Sequence, residues 1–183
     1  EEVCVVDLLY GTFLPSGAEA AIGLARYACG NEQTFVSEMN QKAEQLGMTS
    51  THFTNVTGLH DEDQYTTARD MAKLLMAGMQ NPRFKKILTS TRYSTQPSNL
   101  HAYGFTVYST VYSAFQRNDM EMGYVQGGKT GYTPEAGQCL ATYSIRDDHE
   151  YVLVTMGAGN GSNQVAYHIF DAQAILETYA GVK

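Results

Sequence analysis

The order of the elements that the sequence predicts indicates an α+β fold. Helical periodicity dominates the first two-thirds of the chain, strand-like alternation follows in the last third, and one amphipathic helix is predicted at 165–179. The 183 residues, 43% of them hydrophobic and 17% charged, are enough for one domain with a sizeable core. We therefore expect a single unit over 1–183, with a mainly helical lobe at 1–95 and the sheet strands with the closing helix at 96–183.

Capping residues and glycines divide the helical part into segments. A short apolar run occupies 5–10, and Ser16 with Glu19 matches a capping box for a helix that stops at Gly30. Asn31 can cap the next helix, which ends at Gly47. The stretch 48–65 shows no periodicity and is predicted to be an ordered loop. Two more helices are predicted, one capped by Thr67 and running through 79, the other starting at Asn81-Pro82.

The last third of the chain changes to the two-residue period of strands. Strands rich in β-branched and aromatic residues are predicted at 124–129, 138–145 and 151–157, and a hairpin turn at 147–149 separates the last two. The stretch 95–123 is compatible with a strand, a hairpin or a loop.

Composition excludes several classes of protein. The formal net charge is -7, whereas a nucleic-acid binder needs clustered Lys and Arg, so we expect no nucleic-acid partner. The three cysteines, Cys4, Cys29 and Cys139, contain no close pair, and the five histidines show no HxxxH spacing. We therefore expect neither a metal nor a cofactor.

The stretch Gly127-Gly-Lys-Thr-Gly-Tyr-Thr133 permits two functional interpretations and one structural one. The residues 123–130 fit a phosphate-binding P-loop, but Pro134 and Gly137 stand where such a loop needs a helix. The second interpretation is a KTG motif on an edge strand beside an active-site cleft. The structural alternative is a strand that ends in a glycine turn with an exposed lysine.

Further stretches of the chain resemble the serine-type D-alanyl-D-alanine carboxypeptidases, the low-molecular-weight penicillin-binding proteins that trim peptidoglycan stem peptides. The resemblance runs in the right order from about residue 3 to about residue 180. It rests on the stretches 7–17, 35–39, 43–48, 51–53, 55–59, 65–70, 128–133 and 135–140.

The resemblance implies a β-lactamase/transpeptidase-like fold, in which helices pack an antiparallel sheet and the site lies between the sheet edge and a helical lobe. It also implies acyl transfer by three motifs: SxxK for nucleophile and base, SxN, and KTG. By position, Ser16 is the SxN serine, which relays a proton to the leaving D-alanine nitrogen. Lys129 is the KTG lysine, which shapes the electrostatic field at the nucleophile and holds the terminal carboxylate of the substrate.

The remaining site residues implied by the resemblance bind substrate. Thr130 and Thr133 would hydrogen-bond the carboxylate, Gly131 would let substrate approach, and the Tyr132 N–H would donate to the oxyanion. His168 stands where the family has an arginine that reads the carboxylate. The implied partners are a stem peptide ending in D-Ala-D-Ala and β-lactam inhibitors. The implied location is outside the cytoplasmic membrane of a bacterium, with membrane association of the parent protein left open.

Three features of this chain depart from the family pattern. None of its six lysines has a serine three residues earlier, so no SxxK is present. The SxN asparagine is replaced by Ala18, and the carboxylate-reading arginine by His168. We therefore expect an N-terminally truncated piece, without the first strands and the nucleophile helix, that is inactive alone. A non-enzymatic relative that binds peptides is the main alternative. A β-lactamase is a third, although the carboxypeptidase-like run 55–70 counts against it.

Overall fold

The computed structural model describes residues 1–159 and 165–179. Within them the helices are α1 Val5–Phe13, α2 Ala18–Cys29, α3 Glu32–Gln45, α4 Ala68–Met79, α5 Pro82–Leu88, α6 Thr110–Arg117 and α7 Tyr167–Tyr179. The strands are β1 Arg92–Ser94, β2 Thr106–Tyr108, β3 Val125–Thr133, β4 Gly137–Arg146 and β5 His149–Ala158. Helices precede the main antiparallel sheet and one helix follows it, so the α+β prediction is confirmed. None of the described helices combines the length and the apolar character needed to cross a bilayer.

Most of the predicted helix ends are confirmed by the caps. The Asn31 side chain accepts a hydrogen bond from the Thr34 N–H, and the Thr67 side chain accepts one from the Asp70 N–H. Gly30 adopts the left-handed conformation, with φ of 80°, that ends α2.

The predicted capping box at Ser16 is wrong. Helix α2 begins at Ala18 and its N-cap is Gly17, which has no side chain to cap with. Ser16 has φ of 65°, in the left-handed region, whereas an N-cap residue takes extended backbone angles. The Ser16 hydroxyl is therefore left for a partner outside its own helix.

The main sheet has the strand order β3-β4-β5, antiparallel throughout. Asp147 and Asp148 both have positive φ and form the two-residue turn between β4 and β5, as predicted, although His149 already belongs to β5. Strand β3 extends four residues beyond the predicted end, so the whole KTG stretch lies within the sheet.

Residues 95–123 contain a helix that the sequence did not predict. Strands β1 and β2 pair as a small separate sheet, in agreement with the hairpin alternative, but α6 follows directly. Thus β1 lies in the part expected to be a helical lobe, and α6 in the part expected to hold strands.

Helices pack on both faces of the sheet. Alternate residues of β4 point to opposite faces, so each face contributes side chains to a different cluster. On one face Leu140 contacts a cluster from α6 and α7 that includes Phe115 and Ile169. On the other face Tyr143 contacts Leu75 of α4 and the end of α5. Phe13 of α1 also packs on this second face, so the edge formed by β3 lies between α6 on one side and α1 on the other.

Candidate active site

Two glycines allow strand β3, which carries most of the predicted site residues, to lie close to its neighbours. A Cβ added at Gly127 would lie 2.3 Å from the Leu88 carbonyl oxygen, and one at Gly128 would lie 2.4 Å from that of Ala141. These distances are impossible for real side chains, so both positions require glycine for packing. No helix follows the motif, since β3 runs to Thr133 and pairs with β4 along its length. The helix N-terminus that a phosphate loop requires is therefore missing between residues 123 and 137, which excludes the P-loop interpretation.

Ser16 and Lys129, the predicted SxN serine and KTG lysine, lie in contact across the site. Lys129 Nζ donates a hydrogen bond of 2.6 Å to Ser16 Oγ and one of 2.7 Å to the Thr130 carbonyl oxygen. Burial lowers the pKa of Lys129 from 10.5 to about 8, because desolvation disfavours its charged form. At neutral pH most of the lysine is still protonated, so a positive charge lies within hydrogen-bond distance of Ser16.

Thr130 is held by the unpredicted helix α6. Its hydroxyl donates to the hydroxyl of Thr110, the first residue of α6, at 2.7 Å. The Thr110 N–H in turn donates to the Leu14 carbonyl oxygen, and the Ser109 side chain caps the helix. The start of α6 therefore joins β3 to the end of α1, next to Ser16.

A cavity of about 530 Å³ opens beside this contact, and we call it the arginine cavity. It is lined by Ser16, Thr110, Ala114, Arg117, Asn118, Thr130, Gly131, Tyr132, Gln138, Ala166 and His168. Arg117, the last residue of α6, was missed by the sequence analysis. The signal that could have found it is the apolar spacing of Val111, Ala114 and Phe115 after Ser109, which fits a short capped helix ending at this arginine.

Arg117 changes which residue of the cavity we expect to recognise the carboxylate of a ligand. An arginine presents a planar set of donors that matches a carboxylate, whereas an imidazole does not. Within the described residues Arg117 forms no ion pair. His168 lines the same cavity, and burial lowers its pKa below 6.5, with Arg117 lowering it further and Asp171 raising it. The neutral histidine is therefore favoured at pH 7, beside a permanent cation.

A second opening, which we call the loop groove, lies on the other side of β3 between α2 and the loop 53–66. Its volume is about 690 Å³, and it shares Ser16, Thr130, Gly131 and Tyr132 with the arginine cavity. Lys129, Thr133 and Ala18 also line it.

Hydrogen bonds fix the loop that forms the wall of this groove. The Asn40 side chain donates to the Phe53 carbonyl oxygen and accepts from the Phe53 N–H, both at 2.8 Å. Further back, the buried Asp70 accepts from the Ser50 N–H, and Lys73 donates to it. These side chains hold in place a loop that has little regular secondary structure.

The structure brings five of the seven predicted site residues to the arginine cavity: Ser16, Thr130, Gly131, Tyr132 and His168. Lys129 reaches it through Ser16, but Thr133 does not line it. The Thr133 hydroxyl accepts from the Ala136 N–H in the turn between β3 and β4 and lies along the loop groove. Thr130 also lines the loop groove, so the predicted contact of both threonines with one carboxylate stays a prediction.

The site combines two cations, several hydroxyls and an open strand edge. Such an arrangement can hold an anionic end group and polarise a carbonyl in a nearby acyl transfer. No group of three metal-ligating side chains is found in residues 1–159 and 165–179.

Comparison with known families and curated proteins gives one consistent set of relatives. The family Peptidase_S11, described as D-alanyl-D-alanine carboxypeptidase, matches residues 1–160. The chain is 32% identical to the D-alanyl-D-alanine carboxypeptidase DacF of Bacillus subtilis, covering 86% of this chain and 39% of that protein. It is also 32% identical to a D-alanyl-D-alanine endopeptidase of Escherichia coli, covering 86% and 49% respectively. The chain thus spans less than half the length of these two curated relatives.

Solved structures show a similar fold. A mutant of the Streptomyces K15 DD-transpeptidase has a TM-score of 0.83 at 26% identity, covering 96% of this chain and 67% of that one. A D-alanyl-D-alanine carboxypeptidase of Mycobacterium tuberculosis has a TM-score of 0.76 at 30% identity, covering 97% and 67%. The implied penicillin-binding, transpeptidase-like fold is confirmed by these neighbours.

Proposed function

Because the chain belongs to the D-alanyl-D-alanine carboxypeptidase family of S11 peptidases, we propose that it forms the substrate-binding and charge-stabilising part of such an enzyme. The reaction is hydrolysis of the terminal D-Ala-D-Ala bond of peptidoglycan stem peptides through an acyl-enzyme. The parent protein works outside the cytoplasmic membrane of a bacterium, without metal or cofactor, and β-lactams acylate it as substrate mimics.

The contact between Lys129 and Ser16 carries this proposal. The two residues are 113 positions apart in sequence, yet Nζ and Oγ lie 2.6 Å apart at the open edge of β3. A surface lysine would gain little by such a contact, and Lys129 is desolvated enough to lower its pKa. A partly buried charge beside a hydroxyl, at the mouth of a cavity, is typical of a catalytic arrangement.

The roles of the residues follow from this geometry. The scissile carbonyl would lie along β3, with the leaving D-alanine in the arginine cavity and its carboxylate on Arg117. Ser16 would pass a proton to the leaving nitrogen, and the positive charge of Lys129 would stabilise the negative charge that develops on the carbonyl oxygen. The Tyr132 N–H would donate to that oxygen.

None of the serines in the 183 residues lies in an SxxK, the motif that the proposed reaction needs for its acylating serine. We propose that this serine is supplied by a segment outside them and reaches the carbonyl near Ser16. The decisive experiment labels the full-length polypeptide with benzylpenicillin and reads its intact mass. An adduct of one penicillin on an SxxK serine supports the proposal, whereas a folded protein with no adduct contradicts it.

A non-enzymatic peptide-binding relative is the second candidate, and Ala18 favours it. A methyl group replaces the amide that the family uses to hold the substrate, and such a loss is tolerated more easily where no catalytic rate is under selection. The same experiment separates the two candidates, provided that binding of N-acetyl-D-Ala-D-Ala is measured in parallel. Binding without acylation favours the non-enzymatic relative.

A further inference from the structure

A buried glutamine connects the sheet to the histidine of the arginine cavity. Gln138 lies on β4 and is only 3% exposed, while His168 stands on the first turn of α7 and lines the cavity. Gln138 Oε1 lies 2.6 Å from His168 Nδ1, and Gln138 Nε2 donates to the Val165 carbonyl oxygen at 2.6 Å. The His168 backbone N–H also donates to Oε1, at 3.3 Å.

These bonds determine which imidazole nitrogen carries the proton. A backbone carbonyl only accepts, so the Gln138 amide must turn its NH₂ group to Val165 and its oxygen to His168. That oxygen also only accepts, so Nδ1 must be the donor. In the neutral ring Nε2 then has no hydrogen and is an acceptor.

We propose that Gln138 is a positioning residue that fixes the tautomer of His168, so that Nε2 donates to a ligand carboxylate in the arginine cavity only when the ring is protonated. The proposal rests on the proposed function, which puts the carboxylate of the terminal D-alanine in that cavity. Arg117 is the permanent donor to this carboxylate and His168 the conditional one. Gln138 borders the cavity, but Val165 and His168 hold its side-chain amide, so it acts through His168.

The groups around His168 decide the direction of the pH dependence. Arg117 faces it from α6, Asp171 lies on its own helix, Tyr132 of β3 lines the same cavity, and β4 contributes the uncharged Gln138. Burial and Arg117 lower the pKa of His168, and Asp171 raises it. At neutral pH the Nε2 lone pair therefore faces the ligand without attracting a carboxylate.

A bound carboxylate reverses this balance, because it stabilises the charged ring. Binding of a free acid should then take up a proton below neutral pH, and the affinity should rise as pH falls through the pKa of His168. A ligand whose carboxylate has been converted to an amide carries no charge and should show neither effect.

The experiment uses the 183-residue chain and two probes, N-acetyl-D-Ala-D-Ala and its C-terminal carboxamide. Calorimetry at about pH 5.5 and about pH 7.5 should show about tenfold or more tighter binding of the acid at the lower pH, as expected for one added charge-assisted hydrogen bond, and no such gain for the amide. His168→Gln should abolish the difference. His149→Gln, in the distant hairpin, is the matched control and should keep it.

The role of Gln138 is tested by two readouts that simple packing would not affect. Nitrogen-15 spectra of the unliganded chain should show His168 as the Nδ1–H tautomer. Gln138→Glu puts a carboxylate beside Nδ1 and should move the midpoint of the acid-binding profile to higher pH. An Nε2–H tautomer, an unchanged midpoint in a folded Gln138→Glu protein, or the same pH profile in His168→Gln would each overturn the proposal.

The two proposals fail in different ways. If neither probe binds at either pH, the ligand assignment fails together with the proposed function, while the spectra still decide whether Gln138 sets the tautomer. If the acid binds with no pH dependence, the proposed function stands and the role of His168 is overturned.

Discussion

The hydroxyl groups of Thr130 and Thr110 lie 2.7 Å apart and join the KTG strand to the first residue of α6. Thr110 also donates its N–H to the Leu14 carbonyl oxygen, two residues before Ser16. One short helix therefore sets the distance between the serine, the strand edge and the arginine at its own far end. The residues of the proposed site therefore depend on a helix that the sequence did not predict.

Thr110→Val should weaken ligand binding without unfolding the protein. The substitution keeps the shape but removes the hydroxyl that accepts from Thr130, so β3 loses its side-chain bond to the helix that carries Arg117. We expect affinity for N-acetyl-D-Ala-D-Ala to fall by about three- to tenfold, the equivalent of one hydrogen bond. Calorimetry measures the loss. Thr106→Val, on the exposed strand β2, is the matched control, and equal effects of the two changes would mean that the bond has no part in binding.

Lys129 should give ligand binding an upper pH limit. Its pKa is lowered to about 8, so its charge is present below that value and is lost as pH rises through it. Affinity for a carboxylate ligand should therefore fall between about pH 7 and pH 9. Lys129→Ala should remove this upper pH limit of ligand binding. In the full-length polypeptide the same change should slow penicillin acylation by roughly a hundredfold, the usual effect of losing a charge-stabilising group. If the Lys129→Ala protein is acylated at the wild-type rate, Lys129 has no role in the mechanism.

The same pKa has a consequence for stability. The unfolded lysine titrates near 10.5 and the folded one near 8, so between these values the unfolded state binds more protons. Unfolding monitored by urea should show wild-type stability rising over this range relative to Lys129→Ala. Lys42→Ala, on the exposed face of α3, serves as the control and should track the wild type.

The helices that carry strong local signals could be predicted from the sequence. The side chains of Asn31, Thr67 and Asn81 each accept a hydrogen bond from a backbone N–H of the helix that follows them. A short stretch of sequence is therefore enough to predict where these helices begin. Helix α6 has a similar cap in Ser109, but its sequence TVYSAFQR is rich in β-branched and aromatic residues that favour strands, so the two local signals oppose each other. It is helical because Val111 and Phe115 are buried against α7 and β4, and this packing overrides local preference.

In the candidate site, too, local sequence does not reveal contacts that depend on the fold. Lys129 and Ser16 were found through a family resemblance, since nothing in the local sequence of either residue indicates a partner 113 positions away. Arg117 was missed because α6 was missed. The capping role of Ser16 was predicted from a pattern that its left-handed backbone forbids, and no sequence pattern reveals that backbone angle.

Ala18→Asn should leave penicillin acylation of the full-length polypeptide equal or faster. Residue 18 begins α2 and lines the loop groove beside Ser16, so an amide there would be within the proposed site. One such bond contributes about 0.5–1.5 kcal/mol, which corresponds to at most roughly a tenfold gain. Acylation rates from a chromogenic β-lactam measure it. A large loss would show that this site is organised differently from that of the family, and Ala20→Asn on the same helix is the control.

Gly127→Ala should destabilise the fold by about 1–3 kcal/mol, the usual cost of overpacking. The new methyl group would meet the backbone of Leu88 and Thr89, which cannot move without shifting α5 away from β3. Gly131→Ala is the matched control, because a Cβ there would meet only Cys139 at an ordinary 3.7 Å. Urea unfolding of both variants gives the comparison. If both variants lose a similar free energy of unfolding, then β3 itself does not tolerate an added methyl group and the contact with α5 is not the cause.

Asp70 should contribute stability that is lost at acid pH. Its carboxylate accepts from Lys73, from the Ser50 N–H and from the Thr51 hydroxyl, and the hydrogen bond from Lys73 is the largest cause of the lowering of its pKa below 3.8. This stabilisation is present above the ordinary pKa and disappears as pH falls through the lowered one. Asp70→Asn should therefore reduce Tm at pH 7, flatten the acid part of the stability profile and increase hydrogen exchange in the loop 48–66. Asp63→Asn, exposed in the same loop, should do none of this. A wild-type acid profile in Asp70→Asn would mean that another carboxylate holds the wall of the groove.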